Sequence, residues 1–135
     1  NYTETDFTEA VDDRTDGEGV DLVLEGVGGE TFRESVDALA PFGRIVTYGA
    51  ASGEPGTVDT ATLLFGNKSV EGFHLGRAAA GDPERAFAPV GELSQLLRDG
   101  ELEVVVGQTF DLADAADAHR ALEDRETTGK VVLEP

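Results

Sequence analysis

An α/β fold built on a parallel β-sheet is what the sequence predicts. Short apolar segments, typical of strands, alternate along the chain with segments whose apolar residues recur every three or four positions, typical of helices. The first strands are each followed by a loop of small residues. The chain has 135 residues, 39% of them hydrophobic, which suits one domain with its own core. Strands that alternate with helices indicate a doubly wound parallel sheet with right-handed crossovers.

The first elements are a helix and a strand. Asp6, followed three residues later by Glu9, has the pattern of a helix N-terminus, and a helix is expected over residues 7–15. The glycine-containing segment 16–19 ends it. Residues 20–24 are apolar at all positions but one, which predicts a strand covered on both faces.

The next helix and strand follow the same order. Apolar residues in segment 31–39 recur at helical spacing, and Pro41 and Gly43 are expected to end that helix. Residues 44–48 read Arg-Ile-Val-Thr-Tyr, which predicts the second strand. It also runs into small residues, at 49–53.

The middle of the chain predicts a short helix over 60–65 and a third strand over 69–73. Asp82 followed by proline is a favourable helix start, and one long helix is expected to continue to about Asp99, before Gly100. Its inward-facing residues are predicted to be Phe87, Val90, Leu93, Leu96 and Leu97.

The last segment predicts strand, helix and strand. A short strand or two is expected within 104–110, a helix over 111–123 and a closing strand over 130–133. The helix carries its apolar residues on one face.

The carboxyl ends of the first three strands are the expected ligand site. In open parallel sheets, ligands bind outside these ends of the strands. Here the ends are segments 25–29, 48–51 and 73–76, which we call the strand-end loops. The first is rich in glycine, and the other two also contain it.

The first strand-end loop does not match a dinucleotide phosphate loop. Gly26 and Gly28 fit the first two glycines of Gly-x-Gly-x-x-Gly, but Thr31 stands at the third. The next strand ends at Tyr48 without the acid that would bind a ribose, and Glu30 would repel a pyrophosphate at the same amides. Two explanations remain. The glycines serve a tight turn with close packing, or they let a flat ring approach the backbone, which we favour.

The charge of the chain excludes some partners. Asp and Glu number 28 against 10 Lys and Arg, a net charge of −18. Such a field disfavours nucleic acid and anionic membranes, and no apolar run is long enough to span a bilayer. We expect a cytoplasmic protein whose surface is adapted to high salt; a surface made for a basic partner is the alternative. The chain has no cysteine, so thiolate metal sites and disulfides are excluded.

Several segments together resemble a known family. GVDLVLEGVGGETF, GRIVTYGAASG, SVEGFHLG and the ending AHRALEDRETTGKVVLEP are similar to the C-terminal portion of zinc-independent, quinone oxidoreductase-like medium-chain dehydrogenases/reductases. The resemblance implies a partial Rossmann domain, with residues 1–100 as the second half of an NAD(P)-binding domain. It also implies that residues 101–135 return to a catalytic domain, and that the phosphate loop lies upstream of Asn1. With the acidic surface, it suggests a halophilic source.

The resemblance also implies a chemistry. NADPH is the expected cofactor, and hydride is expected to pass to a small-molecule acceptor, a quinone or an activated alkene. No residue of the chain is expected to act as acid or base or to bind metal. The strand over 69–75 is expected to lie at the sheet edge and to pair with a second copy in a homodimer. The residues expected to contact the cofactor are Tyr2, Gly29, Tyr48, Gly49, Ala50, Phe73, His74 and Leu75.

Other functions fit part of the sequence. A zinc-type alcohol dehydrogenase or an enoyl reductase of the same superfamily is the nearest alternative. A non-catalytic Rossmann-like module that dimerises without a cofactor is another, because the chain lacks a complete phosphate loop. A methyltransferase is disfavoured by the chain ending. For Tyr2 and Phe73, simple core packing is the competing explanation.

Overall fold

The computed structural model describes residues 4–135 and divides into two compact units, Asn1–Ala86 and Phe87–Pro135. The helices, in chain order, are α1 (Phe7–Thr15), α2 (Gly29–Asp37), α3 (Thr60–Gly66), α4 (Leu75–Gly81), α5 (Pro83–Phe87), α6 (Val90–Arg98) and α7 (Ala115–Glu123). The strands are β1 (Val20–Glu25), β2 (Leu39–Thr47), β3 (Ser69–Gly72), β4 (Val106–Asp111) and β5 (Lys130–Glu134). A 3₁₀ turn, Leu112–Asp114, precedes α7.

Both sheets are parallel, which confirms the predicted α/β class. The first unit has a sheet in the order β1-β2-β3, with every neighbouring pair parallel. The second unit has a parallel pair, β4 and β5, with α7 as the connection. Because all three strands of the first sheet run the same way, their carboxyl ends lie at one edge.

The core of the first unit lies between α2 and the sheet. Ile45, in the middle of β2, has no exposed surface, and Val36 on α2 is 1% exposed. Phe32 and Leu39 complete the buried cluster, with partly buried valines from β1, β3 and the loop after β2 around it. The apolar spacing that predicted a helix in 31–39 therefore places Phe32 and Val36 on the sheet, as a 3.6-residue period requires.

The start of β2 differs from the sequence-based prediction. The segment 40–43, expected to break a helix, belongs to a strand that already begins at Leu39. Val20 pairs with Leu39, whereas Leu22 pairs with Arg44, so β2 carries extra residues at this point. The irregularity accommodates Pro41 and leaves Phe42 at φ 67 and largely exposed, since a bulge releases residues from the ladder.

The prediction of one long helix over 83–99 is wrong. The segment forms two helices, α5 and α6, because Pro89 cannot donate a backbone hydrogen bond within a helix. A short helix that the sequence did not predict, α4, precedes them. The inward face expected of that single helix is also wrong in part: Phe87 in α5 and Val90, Leu93 and Leu97 in α6 are all 44–51% exposed.

The predicted N-terminus of α1 is confirmed. Asp6 adopts an extended backbone, and its carboxylate accepts hydrogen bonds from the Thr8 hydroxyl at 2.6 Å, the Thr8 amide at 2.9 Å and the Glu9 amide at 3.3 Å. These bonds, with the Thr8 hydroxyl as the largest cause, hold the pKa of Asp6 below its usual value, because they favour the charged form. No helix within residues 4–135 is long and apolar enough to cross a bilayer.

Candidate functional site

The three strand-end loops lie side by side in the first unit. Beyond the ends of the strands, the Tyr48 amide donates to the Glu25 carbonyl at 2.9 Å, and the Phe73 amide donates to the Thr47 carbonyl at 2.8 Å. The Ala51 amide donates to the Gly26 carbonyl at 2.9 Å. The parallel ladder thus continues into the loops and fixes them against one another.

A cleft of about 620 Å³ opens between the second and third strand-end loops. Its two aromatic rings are half exposed, Tyr48 at 59% and Phe73 at 48%. A side chain built on Gly72 would meet no atom within 4 Å, so the backbone there is open to the cleft. The residues that line this strand-end cleft are Thr47, Tyr48, Gly49, Gly72, Phe73, His74, Arg77 and Ala78.

The glycines of the first strand-end loop are required by close packing within the chain. A Cβ on Gly26 would lie 3.0 Å from Cε2 of Tyr48, so the absent side chain makes room for that ring. Gly28 has φ +79, and a Cβ there would lie 2.2 Å from the Glu54 carbonyl oxygen. Tight turning and close packing therefore account for Gly28. At Gly26 a flat ring does approach the backbone, but the ring is Tyr48.

A buried carboxylate, which the sequence analysis did not single out, holds this loop. Glu25 is 3% exposed, and its Oε1 accepts from the Val27 amide at 2.6 Å and the Gly28 amide at 2.7 Å. Its Oε2 accepts from the Thr47 hydroxyl at 3.4 Å. Since charge-assisted bonds of this kind are strong, Glu25 ties the first loop to the end of β2. An acid directly after a buried strand was the available signal.

The amides at the start of α2 are already occupied. The Gly29 amide donates to the Glu54 carbonyl at 2.9 Å, and the two preceding amides bind Glu25. Glu30, in the first turn of α2, pairs with Arg33. A pyrophosphate would find no free donor at residues 27–29 and would meet negative charge, in agreement with the absence of the full glycine motif.

The predicted cofactor contacts fall into two groups. Tyr48, Gly49, Phe73 and His74 come together in the strand-end cleft. The others do not line it: Gly29 faces the Ser52 hydroxyl, Ala50 lies against Gly28, Leu75 begins α4, and Tyr2 lies outside the described residues.

His74 has a defined structural partner. Its Nδ1 accepts a hydrogen bond from the Arg77 amide at 3.2 Å, which caps α4. Nδ1 therefore carries no proton, and the neutral ring has its N–H at Nε2. This arrangement gives the cleft one ring donor.

Metal ligands are not gathered within residues 4–135. No group of three or more His, Asp or Glu side chains in this part of the chain is placed to hold a metal ion. The sequence adds no cysteine. The cleft residues can therefore position and stack a ligand and donate hydrogen bonds to it, but they do not form a metal centre.

Comparisons with known proteins give consistent results. The family model described as zinc-binding dehydrogenase matches residues 1–133. A quinone oxidoreductase of Pseudomonas aeruginosa is 36% identical over 135 residues, 99% of this chain and 41% of the relative. A 2-haloacrylate reductase of Burkholderia is 34% identical over 139 residues, 100% of this chain and 41% of that protein.

A solved structure agrees with the fold. The Escherichia coli quinone oxidoreductase, in complex with NADPH, superimposes with a TM-score of 0.85 at 32% identity. The match covers 100% of this chain and 42% of that one. The chain thus spans about two fifths of the length of these relatives. It belongs to the zinc-binding dehydrogenase family.

Proposed function

We propose that this chain forms half of the cofactor site of an NADPH-dependent oxidoreductase that transfers hydride to a quinone or an activated alkene. The observation that carries the proposal is the strand-end cleft, where two exposed aromatic rings and the open backbone of Gly72 meet at the carboxyl edge of a parallel sheet. Residues 1–100 would be the second half of the NAD(P)-binding domain, and residues 101–135 the return segment to a catalytic domain. A cytoplasmic location fits this function.

The residues present fit the nicotinamide end of the cofactor. Tyr48, Gly49 and Phe73 offer a flat, partly apolar wall, and Gly72 leaves the backbone open. His74 would lie at the edge of the ring. NADPH, when bound, supplies the hydride; the chain's own residues orient the ring and limit its contact with water. The phosphates would be held elsewhere, because the amides of residues 27–29 are occupied.

The acceptor is proposed to be electron-poor. Relatives named quinone oxidoreductase and 2-haloacrylate reductase support both acceptor types. No cleft residue is required as an acid or base, since water can supply the proton that follows hydride addition. Alcohol dehydrogenase and enoyl reductase are the alternatives within the superfamily, and a module that dimerises without cofactor is the alternative outside catalysis.

Zinc does not fit the residues of this chain. The family description names zinc, but residues 4–135 bring together no metal-ligand set and the chain has no cysteine. We propose membership of the zinc-independent branch. No step of the proposed reaction passes through a metal held by these residues.

The variant Gly72→Val tests the proposed site. Gly72 lines the cleft and an added Cβ there would meet no atom within 4 Å, so the larger residue should narrow the ring site without displacing protein atoms. We expect NADPH to bind at least tenfold more weakly to the full-length variant, since loss of a few ring contacts costs about 1–2 kcal/mol. Cofactor fluorescence titration measures the affinity.

A matched control is Gly91→Val on α6, in the second unit, where an added Cβ also meets no atom within 4 Å. The control should bind NADPH like the unsubstituted protein. Equal affinity of the two variants would exclude the cleft as the nicotinamide site. Absence of binding by the unsubstituted protein would favour the module without cofactor.

We also propose that β3 forms a homodimer by strand pairing. β3 is last in the order β1-β2-β3, so it leaves one edge of backbone groups unpaired among the described strands. Glu71, the charge in this strand that would discourage pairing, lies 3.5 Å from the Arg44 guanidinium. Light scattering in molar salt should give the mass of a dimer, and a monomer would contradict the pairing.

The acidic surface is proposed to be an adaptation to high salt. A net charge of −18 repels itself, and molar salt screens the repulsion to about 3 Å. The melting temperature is therefore expected to be higher in molar KCl than in dilute buffer. An equal or lower value in KCl would favour the alternative, a surface that binds a basic partner.

A further inference from the structure

The strand-end cleft differs in charge from the rest of the molecule. The chain has 28 acidic residues among 135, yet none of the residues lining the cleft is acidic. Its only charged side chain is Arg77, with His74 next to it in the lining. In a chain with net charge −18, an acid-free concavity with one cation repels a small anion less than an acidic surface does.

Arg77 has a guanidinium without a carboxylate partner. Three other arginines in residues 4–135 form ion pairs with carboxylates: Arg33 with Glu30, Arg44 with Glu71 and Arg120 with Asp117. The Arg77 side chain makes no hydrogen bond or ion pair within the described residues; its backbone amide donates to His74, to Nδ1 at 3.2 Å and to the carbonyl oxygen at 3.1 Å. Five N–H donors are therefore available beside the aromatic rings.

His74 adds a neutral donor at the same place. Because Nδ1 accepts the Arg77 amide at 3.2 Å, the neutral ring presents its proton at Nε2. The same hydrogen bond couples the position of the histidine ring to the residue that carries the guanidinium. Both residues line the cleft, so it has one neutral and one cationic donor residue.

We infer that the cleft selects acceptors that carry a carboxylate conjugated to the reducible double bond, with Arg77 binding the carboxylate. The inference rests on the proposed function. Guanidinium and carboxylate match in planar, bidentate geometry. Hydride adds to the β carbon, the electron pair of the double bond moves to the α carbon, and that carbon takes a proton from water. The carboxylate is unchanged by the reaction. It shares the developing negative charge with the α carbon, and Arg77 stabilises that charge.

The test compares an acid with its neutral ester. In the full-length protein, NADPH oxidation is measured with 2-chloroacrylate, with methyl 2-chloroacrylate and with 1,4-benzoquinone. Arg77→Gln should lower kcat/KM about tenfold for the acid, and leave the ester, the quinone and the KM for NADPH unchanged. Arg77→Lys should recover part of the loss. Arg85→Gln, on α5 and outside the cleft lining, is the matched control and should change none of these values.

A direct readout does not depend on turnover. The NMR signal of the Arg77 Nε–H, assigned by its loss in Arg77→Gln, should shift when 2-chloroacrylate is added and stay in place when the methyl ester is added. No shift with the acid would overturn the inference. Equal losses of kcat/KM for the acid and the ester in Arg77→Gln would also overturn it. A raised KM for NADPH in that variant would overturn it too, because the anion bound by Arg77 would then be a cofactor phosphate. A shift without oxidation of NADPH by any acceptor would instead reject the proposed function and keep the anion site.

Discussion

Replacing Ile45 with alanine is expected to lower the free energy of unfolding by about 2–5 kcal/mol. Ile45 is fully buried in the middle of β2, between α2 and the neighbouring strands. Truncation removes apolar atoms from contact with Phe32 and Val36 and leaves a cavity that a close-packed sheet fills only in part. Because domains of this size are typically stable by about 5–15 kcal/mol, the loss is a large fraction of the total.

Urea unfolding monitored by circular dichroism measures the effect. Leu64→Ala on α3 is the control, since Leu64 is 71% exposed and its truncation should change stability by less than about 0.5 kcal/mol. Equal midpoints for the two variants would show that the first unit is not organised around Ile45.

Replacing Glu25 with alanine is expected to cost about 2–4 kcal/mol and to loosen the first strand-end loop. The carboxylate is the partner of the Val27 and Gly28 amides at 2.6 and 2.7 Å, and Gly28 is itself buried. Without it these donors lose their partner. The contact of Oε2 with the Thr47 hydroxyl, at the cleft wall, is lost as well.

Glu25→Gln distinguishes the hydrogen bonds from the charge. Its Oε1 can still accept from both amides, so the loss of stability should be less than half that of Glu25→Ala. Stability is measured by thermal unfolding in molar salt, where surface charge effects are screened. If Gln and Ala destabilise equally, the negative charge beside the start of α2, rather than the acceptor geometry, is what holds the loop.

Local sequence patterns determined much of the first unit. The bounds of α1, the start of β1 and the presence of β2 and β3 followed from capping residues, apolar runs and small-residue loops. The start of β2 did not, because Pro41 and Gly43 end a helix locally but are tolerated at an irregularity in a strand. Only the pairing with β1, a tertiary interaction, decides between these outcomes.

The second unit was harder to predict. Pro89 divides a segment whose apolar periodicity continues through it, and the periodicity alone favoured one helix. The apolar stripe of α6 was expected to face inward, but Val90, Leu93 and Leu97 are exposed. A helical period identifies a face; it does not identify what covers that face.

The site was predictable where strand ends determine it. Tyr48, Gly49, Phe73 and His74 lie in one cleft because parallel strands bring their carboxyl ends together. Ala50 follows Gly49 in sequence and Gly29 belongs to the first strand-end loop, but both face the chain's own loops. Glu25 and Arg77 were missed, since their importance lies in which backbone amides and rings surround them, and sequence spacing does not reveal this.

Hydrogen–deuterium exchange of the full-length protein, with and without saturating NADPH, tests the central claim most directly. Bound cofactor should slow exchange in peptides covering residues 47–49 and 72–78, which line the strand-end cleft, and leave peptides of α3, which line no part of it, unchanged. The proposed nicotinamide site would be contradicted if saturating NADPH slowed exchange in α3 or other segments and left the cleft peptides at their original exchange rates.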